Sequence, residues 1–579
     1  MAAVAAIIVA VAFLLGYRFY AKFLGERVFG DRDELVTPAH TQRDDQDFVP
    51  TPKPVLFGHH FTSIAGAAPI IGPCVAAYWG WGPALLWVVL GTIFMGAAHD
   101  FGSLVASAKE QGRSIADIAG ATIGRRARVL FLCFVLVLLW LVLAVFAMAI
   151  ASLFVSQPSS VLPINIQIVV AVIIGWLAYK KKAPLGWPSF IALLILYAFV
   201  WIGTKVPVDL TTMGMSVSEA KTAWIVFLFV YCAAASLLPV WILLQPRDYI
   251  NSHQLFVGLG LLFAGLIVAH PDFDAPMLRL PDHGAPPIFP LLFVTIACGA
   301  ISGFHGLVAS GTTSKQLDKL SDARAIGYGS MLGEGSLALA ATLAAVAGIG
   351  LVGASHLPAQ GAVADLGWAT YYDTWEHASA NKAAAFVLGG GAFLQSLGLP
   401  SDLAQTLMAV LVIAFAATSL DTAARIARLI VSEIGQSSKI SVLKNRYIAT
   451  ALGVGPALYL CFAQTVDPSS GQRTAVGWVL WPIFGASNQL LAAFTLMTLA
   501  LYFAKKGKSV IALWIPMGIV TAFSGAALLG QLQQFLNEKN LTLAGLTALL
   551  MGLLLWMSIE GVHAYRQLKR EASRTRSPQ

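Results

Sequence analysis

The sequence is poor in charge. Only 11% of its 579 residues are Asp, Glu, Lys or Arg, against 57% hydrophobic residues and a mean hydropathy of +0.74. A soluble globular chain carries about 25% charged residues, so an all-α polytopic membrane protein is expected. Cysteine is also scarce. Cys74, Cys133, Cys232, Cys298 and Cys461 all fall inside apolar runs with no CxxC pair, which argues against disulfides or a thiolate metal site and for small buried hydrophobes. No polar stretch is long enough for a soluble domain, which excludes a receptor kinase or cyclase. A Walker sequence is missing, so ATP is not expected to drive work through this chain. The net charge of +8 is scattered over short loops. The bilayer is therefore the expected partner, and nucleic acid is not. The N-terminal MAAVAAIIVAVAFLLGYRFYAKFLG has neither a basic n-region nor a clear cleavage site and reads as a retained span.

What is present is apolar sequence in lengths that fit a membrane. Windows fall at about 2–17, 58–78, 82–108, 129–155, 162–179, 187–204, 222–244, 254–270, 287–312, 326–351, 402–424, 447–463, 476–503, 509–529 and 541–563, which makes fifteen spans. A further run at 381–397 is short and holds three consecutive glycines. Read as an extracellular helix or hairpin, it leaves 31 of the 37 Lys and Arg in alternate loops on one side. Cytoplasmic loops carry that excess, so the N-terminus is expected outside and the C-terminus inside. The chain is then one transmembrane domain over 1–579, with a core of about 2–503, two C-terminal helices at 509–563 and a tail at 564–579.

Two spans are interrupted. FGHHFTSIAGAAPIIGP carries Gly66, Pro69, Gly72 and Pro73, and PPIFPLLFVTIACGAISGFHGLVASGTTSK carries Gly299, Gly303, Gly306 and Gly311 together with Ser302. Pro removes a backbone donor and Gly relaxes the chain, and in hydrocarbon the freed groups must face protein or a wet cavity. Such breaks mark the substrate and ion sites of many secondary transporters, and two of opposite sense suit an inverted repeat. The expected substrate-binding backbone is Gly66, Ala67, Pro69, Gly72 and Pro73 with Ser302, Gly303 and His305. The repeats are read as the spans from 58 to 204 and from 287 to about 503, an arrangement that resembles the leucine-transporter fold.

Ionisable groups at membrane depth are functional candidates. His99 and Asp100 read as a gate or proton relay, with structural hydrogen bonding an equal alternative. Glu334 and Asp421 are candidates for ion coupling. Thr418 and Ser419 offer hydroxyls that suit sodium, and the resemblance to the leucine transporter implies a sodium site between such a pair and the first broken helix. That pair is the one metal position expected, with proton or sodium as coupling ion and no cofactor. His59 and His60 read as interfacial, Asn488 as packing, and Arg247–Asp248 as a cytoplasmic turn. Neither the His59–His60 pair nor His99–Asp100 matches a zinc signature, so an enzyme is not expected. A channel would show a repeated polar stripe, and none is present.

The strings FGHHFTSIAGAAPIIGP, GAAHDF, PVWILLQPRDYIN, ISGFHGLVASGTTSKQL, ATSLDTAARIAR and WPIFGASNQLLAA resemble the carbon starvation protein A family. That resemblance implies a bacterial inner-membrane transporter importing peptides or pyruvate during carbon starvation, by ion symport, with a small carboxylate as its cargo.

Overall fold

The computed structural model describes residues 1–32, 34–181, 186–280, 286–357, 360–381, 383–466, 473–475 and 481–574. Backbone groups in hydrocarbon have no water to bond, so apolar runs close their hydrogen bonds within helices. Among the described residues, twelve helices are long and apolar enough to cross a bilayer, and thirteen when one bent pair counts as a span. The protein is therefore a multi-pass membrane protein.

In chain order, α1 is Ala2–Phe29, and α2 (Lys53–Ile64) and α3 (Ala68–Trp79) form the bent pair. Then come α4 (Trp81–Lys109), α5 (Arg125–Ser156), α6 (Pro158–Lys180), α7 (Gly186–Lys205), α8 (Val217–Leu237) and α9 (Leu244–Ala269). The second interrupted span consists of α10 (Ile288–Thr295), a turn at Ala297–Ala300, and α11 (Gly303–Gly311). It is followed by α12 (Leu320–Leu351), the short α13 (Ala384–Gln395) and α14 (Ser401–Ser437). The last elements are α15 (Arg446–Phe462), α16 (Trp481–Lys505), α17 (Ile511–Asn537) and α18 (Leu541–Arg574). Every apolar window has a helix, although 476–480 of the thirteenth lies outside the described residues.

The two broken spans run antiparallel. α3 packs on α10 and Ala297–Ala300, while α11 packs on α2. Around them the contacts repeat. α2 leans on α9 as α11 leans on α16, and α5 meets α15 as α8 meets α14. This pairing assigns α8 and α9 the places expected for 162–204, with α6 and α7 added outside α9. The apolar windows could not reveal this, because α6 and α7 are as hydrophobic as α8 and α9 and only the packing partners tell them apart.

Three other expectations change. The unwound part of the first broken helix is only Ala65–Ala67, and Pro69, Gly72 and Pro73 lie in the helix after it. Pro69 is tolerated there because the first-turn N–H groups have no helical partner. The turn expected at Arg247–Asp248 lies earlier, at 238–243, so both residues sit buried in the first turns of α9. α13, expected as part of an extracellular helix or hairpin, has 12 residues and is buried against α12 and α14. Its glycines serve close packing: a Cβ at Gly389 would collide with the Ala344 carbonyl.

Candidate functional site

Both breaks open onto one cavity in the centre of the bundle. At the first, the chain bends by 46°, and the last carbonyls of α2 lose their helical partners. Two hydroxyls of α14 replace them. Thr418 Oγ1 donates to the Thr62 carbonyl at 2.9 Å, and Ser419 Oγ to that of Ser63 at 3.2 Å. At the second break, Ile301 and Ser302 are extended, which frees the amides that start α11. Asn488 of α16 serves them: its Oδ1 accepts from Phe304 N–H at 3.0 Å, and its Nδ2 donates to Ser302 Oγ at 2.9 Å and Cys298 Sγ at 3.0 Å.

The cavity between the breaks is small in this structure, about 10 Å³, room for about one water. Gly66, Pro69, Ser302, His305, Ser419 and Asn488 line it, with Phe146, Phe304 and Phe484 as apolar walls. Gly72 instead lies against the Thr295 carbonyl, and Gly303 against α16 with the Asn488 carbonyl 2.5 Å from where a Cβ would stand. Ala67 and Pro73 are buried beside the cavity.

His305 joins this cavity to a buried ionisable cluster. Its Nδ1 is 3.0 Å from Asp100 Oδ2, and its Nε2 is 3.2 Å from Glu334 Oε2. The other Asp100 oxygen holds His99 Nδ1 at 2.7 Å. All four side chains are at most 1% exposed. The elements α4, α11 and α12 thus bring two carboxylates and two imidazoles together away from water, where a proton passes between partners without leaving the protein.

Asp421 stands elsewhere. It receives both terminal nitrogens of Arg247, and Tyr231 Oη donates to it at 2.8 Å. Arg247 Nη2 also bonds Asp248 Oδ1 at 2.9 Å, while Asp248 Oδ2 holds His59 Nδ1 at 2.7 Å. The coupling candidates therefore divide: Glu334 belongs with His305, Asp421 with Arg247, and Thr418–Ser419 with the first break. His59 and His60 are not interfacial, since both are fully buried, and His60 Nδ1 meets Thr313 Oγ1 at 2.9 Å. Tyr231 has no reading from the sequence, while Arg247–Asp248 read as a turn and Asn488 as packing. One signal exists for Arg247: it is the lone basic residue of its stretch, and Asp421 is an acid deep in a span.

Among known proteins, the peptide transporter CstA of Campylobacter jejuni subsp. jejuni is 31% identical over 534 residues, covering 86% of this chain and 75% of its own. The pyruvate/proton symporter BtsT of Escherichia coli K12 is 32% identical over 547 residues, covering 84% and 75%. A crystal structure of a manganese transporter from Eremococcus coleocola matches with a TM-score of 0.47 and 13% identity, over 90% of this chain and 99% of that one. The family described as Carbon starvation protein CstA matches residues 1–527. The chain belongs to the Carbon starvation protein CstA family.

Proposed function

We propose that the protein is a secondary transporter that imports a small carboxylate together with protons. The observation that carries this is the position of His305, which lines the cavity between the two breaks and also sits between Asp100 and Glu334. Cargo in the cavity and a proton in the cluster then act on the same side chain. α3 and α11 both begin at the cavity, and the free amides and dipole of a helix N-terminus favour an anion.

Among the described residues, the lining includes neither Asp nor Glu. A peptide's ammonium would therefore be buried without a counter-charge, which costs heavily, whereas the carboxylate of pyruvate meets the His305 ring and the N-termini of α3 and α11. Relatives include a pyruvate/proton symporter as well as peptide transporters, and the lining favours the first kind of cargo. Proton coupling is favoured over sodium because a relative is a pyruvate/proton symporter and the cavity borders the Asp100–His305–Glu334 cluster. The surplus of Lys and Arg in alternate loops supports insertion in a bacterial inner membrane with the N-terminus outside and the C-terminus in the cytoplasm.

The test is uptake of labelled pyruvate into proteoliposomes under an imposed pH gradient, with a dipeptide as competitor. Accumulation driven by the gradient and indifferent to dipeptide is expected. Dipeptide uptake with strong competition would shift the cargo to peptides. Absence of any gradient-driven uptake would overturn the transporter reading in favour of a channel or sensor.

A further inference from the structure

The cluster around Arg247 has an unbalanced charge. It lies fully inside the protein: His59, Asp248 and Asp421 are at 0% exposure and Arg247 at 2%. One guanidinium faces two carboxylates, Asp248 and Asp421, and Tyr231 contributes a neutral hydroxyl. A buried charge without a partner is strongly disfavoured, so a further proton belongs in the cluster, and both oxygens of Asp248 and of Asp421 already accept hydrogen bonds. His59 is the group positioned to hold it. Its Nδ1 bonds Asp248 Oδ2 at 2.7 Å, and its Nε2 is buried with no partner among the described residues.

Among the described residues, no other cation is placed to supply the charge. Of the elements packed against α2, α9 presents Arg247 and Asp248, and α14 presents Asp421. Arg425, one turn further on α14, pairs with Asp47 at 3.2 Å. α11 brings His305 and α12 brings Glu334, which are engaged with each other. Arg324 is held by Asp31 at 2.7 Å, and Lys315 lies over the Phe48 ring. His60, next along α2, bonds Thr313.

We propose that His59, with Asp248, is a second proton-binding site of the transporter, distinct from Asp100–His305–Glu334, and that its proton keeps α2 docked on α9. Asp248 grips α2 at three points. Its carboxylate takes His59 Nδ1 and Ser63 Oγ, the latter at 3.4 Å, and its backbone carbonyl accepts from Thr62 Oγ1 at 3.3 Å. The same turn of α2 is held from α14 by Thr418 and Ser419. Loss of the proton from Nε2 leaves the cluster with an excess negative charge beside the break, which loosens α2 at its free end. Each transport cycle then moves two protons, one through each cluster.

The inference rests on the proton-coupled carboxylate reading, and a charge measurement separates the two. One proton with one pyruvate anion is electroneutral, whereas two protons carry a net positive charge inward. The experiment is pyruvate uptake by the full chain in proteoliposomes, under an inside-negative potassium diffusion potential with equal pH on both sides. At two protons per pyruvate, accumulation rises tenfold for each ~59 mV of potential. Asp248→Asn, which removes the need for the second charge, and the double variant His59→Gln with Asp248→Asn should keep pH-driven uptake and lose the response to potential. A wild-type protein driven by pH but indifferent to potential would overturn the second site while leaving the transport reading intact. Uptake driven by neither gradient would remove that reading itself. A response to potential that persists in both variants would also overturn the site.

Discussion

Each broken helix carries a buried ionisable cluster close to its break, and the two are built differently. The cluster on α11 holds two imidazoles and two carboxylates and touches the cavity through His305. The cluster on α2 includes a permanent cation, Arg247, bonded to carboxylates from its own helix and from α14. Groups that all titrate suit proton transfer, whereas a fixed guanidinium fork suits holding helices together. The breaks differ in the opposite sense. Asn488 binds three atoms of the second at once, while single hydroxyls serve the first. The titrating cluster thus adjoins the more heavily bonded break, and the fixed cation the less heavily bonded one.

Breaking the fixed cation should have the largest effect. Arg247→Met leaves two carboxylates buried without their partner, and a loss of about 3–5 kcal/mol is expected. Thermal unfolding in detergent reads it out, and adding Asp421→Asn should restore much of the loss. Unfolding of the single variant at the wild-type temperature would break the comparison at its strongest point.

Asn488→Ala comes next. It strands the Phe304 N–H at a cost of about 1–3 kcal/mol, which amounts to about a tenfold rise in the pyruvate KM for each 1.4 kcal/mol felt by the cavity. Concentration-dependent uptake checks it, and an unchanged KM would show that α11 needs no outside support. Thr418→Val should do least. It removes one neutral hydroxyl–carbonyl bond, worth about 0.5–1.5 kcal/mol, and uptake should fall by less than about tenfold. An effect as large as that of Asn488→Ala would show that the first break is held as firmly as the second.

The sequence exposed what is local. Apolar length located the spans, Gly and Pro located both interruptions, and ionisable residues in apolar runs singled out His99, Asp100, His305, Glu334 and Asp421. What it left hidden depends on partners far along the chain. Pro246 followed by Arg247 and Asp248 has the composition of a solvated turn, and only Asp421, 174 positions away, makes it a buried pair. His59 looked interfacial because it opens an apolar window, yet α2 begins at Lys53 and carries it inward. Gly72 and Gly303 look like unwound backbone, but they allow close helix contact. A glycine pattern alone does not distinguish the two.

The central claim is that the proton on Asp100–His305–Glu334 drives cargo uphill. Glu334→Gln tests it most directly, by comparing pyruvate accumulation under a pH gradient with pyruvate counterflow in the absence of one. Counterflow exchanges cargo with no net proton movement, so the variant should retain it while losing gradient-driven accumulation. A Glu334→Gln protein that accumulates pyruvate as the wild type does would contradict the account.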